Sequence, residues 1–250
     1  MRRLLPDTRQ RSVGPFVFFD HFGPVAEVPG VNHDVRPHPH IGLATVTYLY
    51  DGAMMHRDSL GTEQRIEPGA INWMSAGRGI VHSERRPADL RDKHYVNHGL
   101  QLWVALPQGQ EDGEPSFIHT PAADIPEISV GDGEIRVLVG DAFGEISPVA
   151  TLSRTLYLVE GRTVGEGAMA VLAPGMSVRL AADRSCRLAV IGGDALDGPR
   201  HMWWNFVSSS KDKIIRASQD WEAQRMGQVP GDDERIPLPQ KRFTPAEPVS

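Results

Sequence analysis

Two closely spaced pairs of possible metal ligands stand out in the first hundred residues. His38 and His40 are separated by one residue, and so are His82 and Glu84. In an extended strand the side chains of residues i and i+2 point to the same side, roughly 6.5–7 Å apart along the chain. Each pair can therefore converge on one point from a single strand. Three imidazoles and one carboxylate on one face predict a mononuclear site for a divalent first-row metal ion, with bonds of about 2.0–2.2 Å.

The alternative is that these four residues are only the polar rim of a β-sheet. Pro39 lies between the first two histidines and cannot donate a hydrogen bond to a neighbouring strand. The segment would then lie at an edge or a break of a sheet, a position that a metal-bearing rim also tolerates. Ligand types alone do not separate iron from nickel, cobalt, copper or manganese.

Other polar and aromatic residues have simpler interpretations. The cluster at 56–58 (His, Arg, Asp) either surrounds the metal ligands or forms a solvated face, and we favour the solvated face. His21 is interpreted as a packed or hydrogen-bonded histidine. Trp73 and Trp103 are predicted to lie in the core.

Composition sets the class of protein. The 250 residues carry a formal net charge of -6 without a cluster of Lys and Arg, so a nucleic-acid surface is not indicated. No apolar run approaches the roughly 20 residues that a membrane helix needs. A single cysteine, Cys186, excludes an intrachain disulfide and fits a reducing compartment, so we expect a cytoplasmic protein. Scattered proline (20) and glycine (25) favour many short strands joined by turns.

The sequence pattern predicts four strands around the ligand pairs and one helix near the C-terminus. The strands are predicted at Leu43–Tyr50, Met54–Asp58, Ile71–Met74 and Gly99–Leu106. The stretch 107–134 is rich in turn residues and predicts loops and a domain boundary. A helix is predicted from Lys211 to Met226, capped by the serines at 208–210 and ended by Gly227, before an extended tail at 230–250.

The second half echoes the first. The segments Tyr157–Gly161 and Pro174–Gly175 resemble Tyr48–Gly52 and Pro68–Gly69, which predicts two similar β-barrels in tandem. Aligning the halves on these anchors places Ser147, Val149, Leu188 and Val190 where the four candidate ligands lie in the first half. None of these residues is a good metal ligand, so we expect the second barrel to hold no metal. The predicted units are a metal-binding barrel at 1–118, a second barrel at 119–207, and a helix with a tail at 208–250.

Several motifs in the order found here resemble those of the pirin family. They are Pro37–Gly42, Thr45–Leu49, His56–Gly61, Trp73–Ile80, His82–Glu84 and Gly99–Val104. The resemblance implies an all-β fold of two antiparallel cupin-type barrels, a bicupin, with one non-haem iron in the first barrel. It implies that His38, His40, His82 and Glu84 correspond to the three histidines and one glutamate that bind the metal in the family. It also implies Fe(2+) as the metal, with other divalent first-row ions as alternatives.

The resemblance implies two functions. Some pirins resemble quercetin 2,3-dioxygenases, which implies a polyphenol substrate, dioxygen as the second substrate, and opening of the central flavonol ring with release of carbon monoxide. Glu84 would then either move off the metal or act as a general base towards the substrate hydroxyl. Other pirins are described as iron-dependent transcriptional cofactors, which implies a redox-sensing protein that binds a protein partner and has no turnover.

Overall fold

A computed structural model of the protein describes residues 1–130, 133–149, 168–172, 175, 181 and 185–243. The strands of the first half are β1 (Arg2–Leu5), β2 (Phe16–Glu27), β3 (Val35–His40), β4 (Leu43–Asp51), β5 (Met54–Asp58), β6 (Glu63–Ile66), β7 (Ile71–Ser75), β8 (Ile80–Arg85), β9 (Tyr95–Ala105) and β10 (Ser116–Thr120). The later elements are β11 (Glu127–Val130), β12 (Gly133–Arg136), β13 (Asp141–Ala142), β14 (Glu145–Ile146), β15 (His201–Trp203), β16 (Phe206–Ser208) and the α-helix α1 (Lys211–Glu222). Short 3-10 helices lie at Ala88–Leu90, Gln108–Gln110 and Ala122–Asp124.

Two antiparallel sheets make up the first half. The larger sheet has the strand order β1-β2-β9-β4-β7-β10, and the smaller has the order β3-β8-β5-β6. Strand β5 has the predicted bounds, and β4 and β7 each extend one residue beyond theirs. Strand β9 begins four residues earlier than predicted, at Tyr95, because its pairing with β2 continues to that residue. The prediction of an all-β protein with a C-terminal helix is confirmed.

One face of the six-stranded sheet forms the largest hydrophobic core. The alternating residues Leu100, Leu102 and Val104 of β9 lie in this core, as the period of two along a strand predicts. Ile125 and Val149, from the chain after β10, pack against the same face. This face therefore joins the first half of the chain to the second.

The opposite face of this sheet carries two rows of side chains that cross the strands. The first row is Trp103, Thr45, Met74 and Phe117, and the second is Gln101, Thr47, Asn72 and His119. The ring of Trp103 lies 5.1 Å from that of His40, and Phe117 stacks on His56 at 4.2 Å. These contacts place both rows opposite the four-stranded sheet, so the candidate ligands lie between the two sheets.

A glycine allows the chain to reverse directly after the first candidate pair. Gly42 has φ +66°, and a Cβ at this position would lie 2.0 Å from the backbone oxygen of Val207. Only glycine combines this left-handed backbone with so close an approach. The turn thereby brings β3 and β4 against β16, where Ile41 forms a parallel bridge with Phe206.

The helix ends four residues before the predicted position. The N–H of Arg225 bonds to the carbonyl of Asp220, and that of Gln224 to the carbonyl of Trp221. Gln224 has φ +57°, so these bonds form a Schellman motif with Gln224 as its left-handed residue. The prediction that Gly227 ends the helix is therefore wrong. No helix in the described part of the chain is long and apolar enough to cross a membrane.

The chain after β9 is more structured than predicted. The prediction of loops over 107–134 is wrong in part, because β10 lies there and extends the six-stranded sheet through β7, and β11 pairs with β12. Backbone pairing with β7 holds this short strand at the edge of the sheet. Its residues are partly exposed and show no apolar pattern that would predict a strand. The repeated segment Tyr157–Gly161 and Pro174 lie outside the described residues. The bounds 1–118, 119–207 and 208–250 stay a prediction.

Candidate metal centre

Three of the four candidate ligands come together between the sheets. His38 on β3 is paired directly with His82 on β8, and His40 follows two residues along β3 on the same face. One ligand nitrogen from each ring lies within 4.8 Å of the other two, among the residues that the structure describes. All three side chains are buried, with exposures of 6%, 1% and 1%. Pro39 does not break β3, so the strand itself holds the pair.

Backbone carbonyls fix the rings of the first two histidines. His38 Nδ1 lies 2.9 Å from the carbonyl oxygen of Arg36, and His40 Nδ1 lies 3.0 Å from that of Asn205. A carbonyl only accepts hydrogen bonds, so each Nδ1 carries the proton. Each Nε2 is thereby left with a lone pair, the state that a metal ligand requires.

Burial keeps the three imidazoles neutral. It lowers the pKa of His38 to about 4, although the Arg36 carbonyl acts in the opposite direction. Burial and the neighbouring rings hold the pKa values of His40 and His82 well below 6.5. At neutral pH a metal ion therefore does not have to displace protons from these side chains.

Glu84, the fourth candidate, does not belong to the three-histidine group among the described residues. An irregularity in the β3–β8 register places Glu84 opposite Val35 rather than opposite a histidine. Its Oε1 accepts a hydrogen bond of 3.1 Å from Gln101 Nε2, and burial raises its pKa to about 7. Glu84 also lines a cavity of about 40 Å³, together with Glu27, His33, Val35, Arg86 and Tyr95. Its role as a ligand stays a prediction.

The raised pKa of Glu84 predicts a pH dependence of stability. The folded state binds the proton of this carboxyl more tightly than the unfolded state, so its contribution to stability is full at low pH and is lost as pH rises through about 7. We expect Glu84→Gln to stabilise the metal-free protein relative to wild type by about 2–3 kcal/mol more at pH 8 than at pH 5. Urea unfolding of both proteins measures this difference. The three histidines are present in both proteins, so the comparison isolates Glu84. If the difference in unfolding free energy between the two proteins is the same at pH 5 and pH 8, the pKa of Glu84 is not raised.

Two residues next to the ligands are buried rather than solvated. The prediction of a solvated face is wrong for His56 and Asp58, because they are 2% and 0% exposed. The solvated interpretation is right only for Arg57, which forms an ion pair with Glu63 on the outer side of β5. The signal was present, because positions 56 and 58 have the same i, i+2 spacing as the two ligand pairs.

These two residues continue the site behind His82. Asp58 is paired with His82 across β5 and β8. His56 Nε2 lies 3.0 Å from Asp58 Oδ2, and His56 Nδ1 lies 3.4 Å from His82 Nδ1. Burial raises the pKa of Asp58, but hydrogen bonds from His56 and Thr62 outweigh it and keep the pKa below 3.8. Asp58 is therefore an anion in the interior.

The predictions for His21, Trp73 and Trp103 are confirmed. His21 forms a hydrogen bond of 2.8 Å with His98, on the outer part of the six-stranded sheet. Trp73 and Trp103 are buried, at 8% and 7% exposure, and Trp103 stacks on Phe18.

The donor set fits a metal ion. His82 Nε2 is buried and has no hydrogen-bond partner among the described residues. A buried polar atom without a partner costs about 1–3 kcal/mol, so a native protein rarely keeps one without a reason. A cation bound by the three Nε2 atoms supplies that partner, and imidazole nitrogens are ligands for first-row divalent metals.

Two models of known protein families match this chain. The sequence model of the Pirin family matches residues 1–104, and that of the Pirin C-terminal cupin domain matches residues 145–227. A pirin-like protein of Caulobacter vibrioides is 42% identical, over 95% of this chain and 93% of its own length. Pirin-1 of Arabidopsis thaliana is 30% identical, over 87% and 85%.

The fold is also shared with a solved structure. The crystal structure of a quercetin 2,3-dioxygenase from Acinetobacter baumannii superposes with a TM-score of 0.79 and 30% identity, over 99% of this chain and 92% of its own. This likeness and the two matched domains confirm the predicted bicupin fold. The chain belongs to the pirin family.

Proposed function

We propose that this protein is a non-haem iron dioxygenase of the pirin type that carries out 2,3-dioxygenation of quercetin-like flavonols. The observation that carries the proposal is the group of three buried, neutral histidines, each with one ring nitrogen within 4.8 Å of the other two. The name of the Acinetobacter baumannii structure supports the choice of reaction and substrate class. A bound iron(II) ion would supply Lewis acidity and one-electron chemistry towards dioxygen.

The residues of this chain have separate tasks in the proposed reaction. His38, His40 and His82 would hold the ion, with Glu84 as the fourth ligand. Glu84 would also act as the general base that accepts the proton of the substrate hydroxyl. Gln101 orients that carboxylate through its hydrogen bond to Oε1.

The wall opposite the ligands suits a substrate with several hydroxyl groups. Thr47 and Asn72 lie in the same row as Gln101, and they are 4% and 2% exposed. Within the described residues, Asn72 Nδ2 is a buried donor without an acceptor, while Asn72 Oδ1 lies 2.7 Å from His119. A polyphenol oxygen would satisfy this donor.

Turnover of quercetin in air by the iron-loaded protein tests the proposal. We expect oxygen consumption and loss of the flavonol absorbance with wild type, and a rate at least about 100-fold lower with His82→Ala, since losing even an outer partner of a ligand costs about 10–100-fold. His94→Ala is the matched control, because His94 is exposed and outside the ligand group. Equal rates for wild type and His82→Ala would remove the proposal.

The same experiment distinguishes the dioxygenase from the second function that the resemblance to pirins implies. If wild type binds iron and turns over no flavonol, an iron-dependent redox-sensing protein with a protein partner is the interpretation that remains. The cytoplasmic location stays a prediction from the single cysteine, which is free and exposed.

A further inference from the structure

The three histidines differ in what fixes their rings. His38 and His40 are held by backbone carbonyls, which no substitution removes. His82 Nδ1 instead faces the side chain of His56 at 3.4 Å. The tautomer of His82, and hence the lone pair on its Nε2, therefore depends on other side chains.

The direction of each hydrogen bond behind His82 follows from Asp58. Its Oδ1 accepts from the backbone N–H groups of Leu60 and Thr62, at 2.9 and 3.1 Å. Its Oδ2 lies 3.0 Å from His56 Nε2, and an ionised carboxylate has only acceptors, so His56 Nε2 is the donor. The stacking of Phe117 on His56, with an angle of 19° between the rings, holds this orientation.

The proton on His82 is then determined. With its proton on Nε2, a neutral His56 offers a lone pair on Nδ1, and this lone pair accepts from His82 Nδ1–H. His82 Nε2 is left unprotonated, in the space shared with His38 and His40. In the opposite arrangement, a His56 imidazolium would donate to His82, and the resulting Nε2–H of His82 would be buried without an acceptor among the described residues.

We propose that Asp58 and His56 are positioning residues for metal binding, which fix the tautomer of His82 through a carboxylate–imidazole–imidazole relay and strengthen its Nε2 as a donor. Hydrogen-bonded partners of this kind orient metal-ligating histidines and raise their basicity. The inference rests on the proposed metal site, but it does not depend on the dioxygenase reaction.

The variant Asp58→Asn reverses the relay with almost no change of shape. The two backbone N–H groups retain the amide oxygen at the position of Oδ1, which places the amide NH2 against His56 Nε2. His56 then accepts at Nε2 and donates from Nδ1, so His82 carries its proton on Nε2. We expect the affinity of the metal-free protein for Co(2+) to fall about 10–100-fold.

A second carboxylate–imidazole–imidazole chain supplies the matched control. Asp51 lies 3.6 Å from His98 Nδ1, and His98 is bonded to His21, but neither histidine belongs to the ligand group. Asp51→Asn should leave Co(2+) affinity within about twofold of wild type, given that distant exposed charges have small effects. If Asp58→Asn binds Co(2+) as tightly as wild type, the relay is overturned. If wild type itself binds no metal, the proposed site fails instead.

A measurement on the unaltered protein keeps the test independent of how well the variant folds. NMR spectra of metal-free protein with nitrogen-15-labelled histidine distinguish the two neutral tautomers. We expect the Nδ1–H form for His82 and the Nε2–H form for His56. Finding His82 in the Nε2–H form would overturn the relay, whatever the metal affinity.

Discussion

Replacing His40 by alanine is expected to abolish stoichiometric metal binding. His40 Nε2 is one of three nitrogens that share a space, and its ring is fixed on both sides, by the Asn205 carbonyl and by Trp103. Without His40 the proposed site keeps His38, His82 and Glu84 and loses one of its three metal–nitrogen bonds. We expect the affinity for Fe(2+) or Co(2+) to fall by more than about 100-fold. This is more than the loss of about 10–100-fold expected when only a hydrogen-bond partner of a ligand is removed.

Metal analysis and thermal unfolding measure this effect. A ligand that binds only the folded state raises its stability by RT ln(1 + [L]/Kd), so added metal should raise the Tm of wild type and not that of His40→Ala. His119→Ala is the control, because His119 lies in the same half, bonds to Asn72 and is outside the ligand group. If His40→Ala still binds one metal ion per protein molecule tightly, His40 is not a ligand of the metal site.

Replacing Arg200 by methionine is expected to destabilise the protein by about 3 kcal/mol, because the Glu111 carboxylate loses its buried cation and keeps only the partly exposed Lys213 as an ion-pair partner. Arg200 is fully buried and lies 3.0 Å from Glu111, whose side chain is 1% exposed. Glu111 also accepts hydrogen bonds from Ser208 Oγ and from the backbone N–H of Ser209, just before α1. This ion pair joins the chain after β9 to the β15–β16 hairpin that supplies the carbonyl for His40.

Urea unfolding measures the loss, and two further variants make it specific. Arg65→Met removes a partly exposed arginine that pairs with Glu67 and Asp89, and should cost at most about 1 kcal/mol. Adding Glu111→Gln to Arg200→Met removes the carboxylate that has lost its buried partner and should recover part of the loss. If Arg200→Met lowers the free energy of unfolding no more than Arg65→Met does, the buried pair of Arg200 and Glu111 does not stabilise the fold.

The features of the fold that could be predicted from the sequence are those that depend on residues close together along the chain. Alternation of apolar residues in β9 predicted which face is buried, since the period of a strand is two. The i, i+2 spacing of the histidines predicted that His38 and His40 share a face, and the structure places them so. The metal itself, and Glu84 as its ligand, stay predictions.

The parts that sequence could not give depend on contacts between distant residues. The register of β3 against β8, which sets Glu84 opposite Val35, follows from a local irregularity that no composition rule marks. The burial of His56 and Asp58 comes from the covering sheet, through Phe117 on an edge strand that lacked an apolar pattern. Helix α1 ends early because Gln224 adopts a left-handed backbone. Glycine adopts this conformation more readily, so the sequence pointed to Gly227 as the end of the helix.

The most direct test locates the metal in the protein. Crystals grown with Co(2+) or Fe(2+) and measured at the absorption edge of the metal give an anomalous difference map. We expect one peak, at about 2.0–2.2 Å from Nε2 of His38, His40 and His82 alike. A peak elsewhere, or one in contact with only one of these histidines, would contradict it.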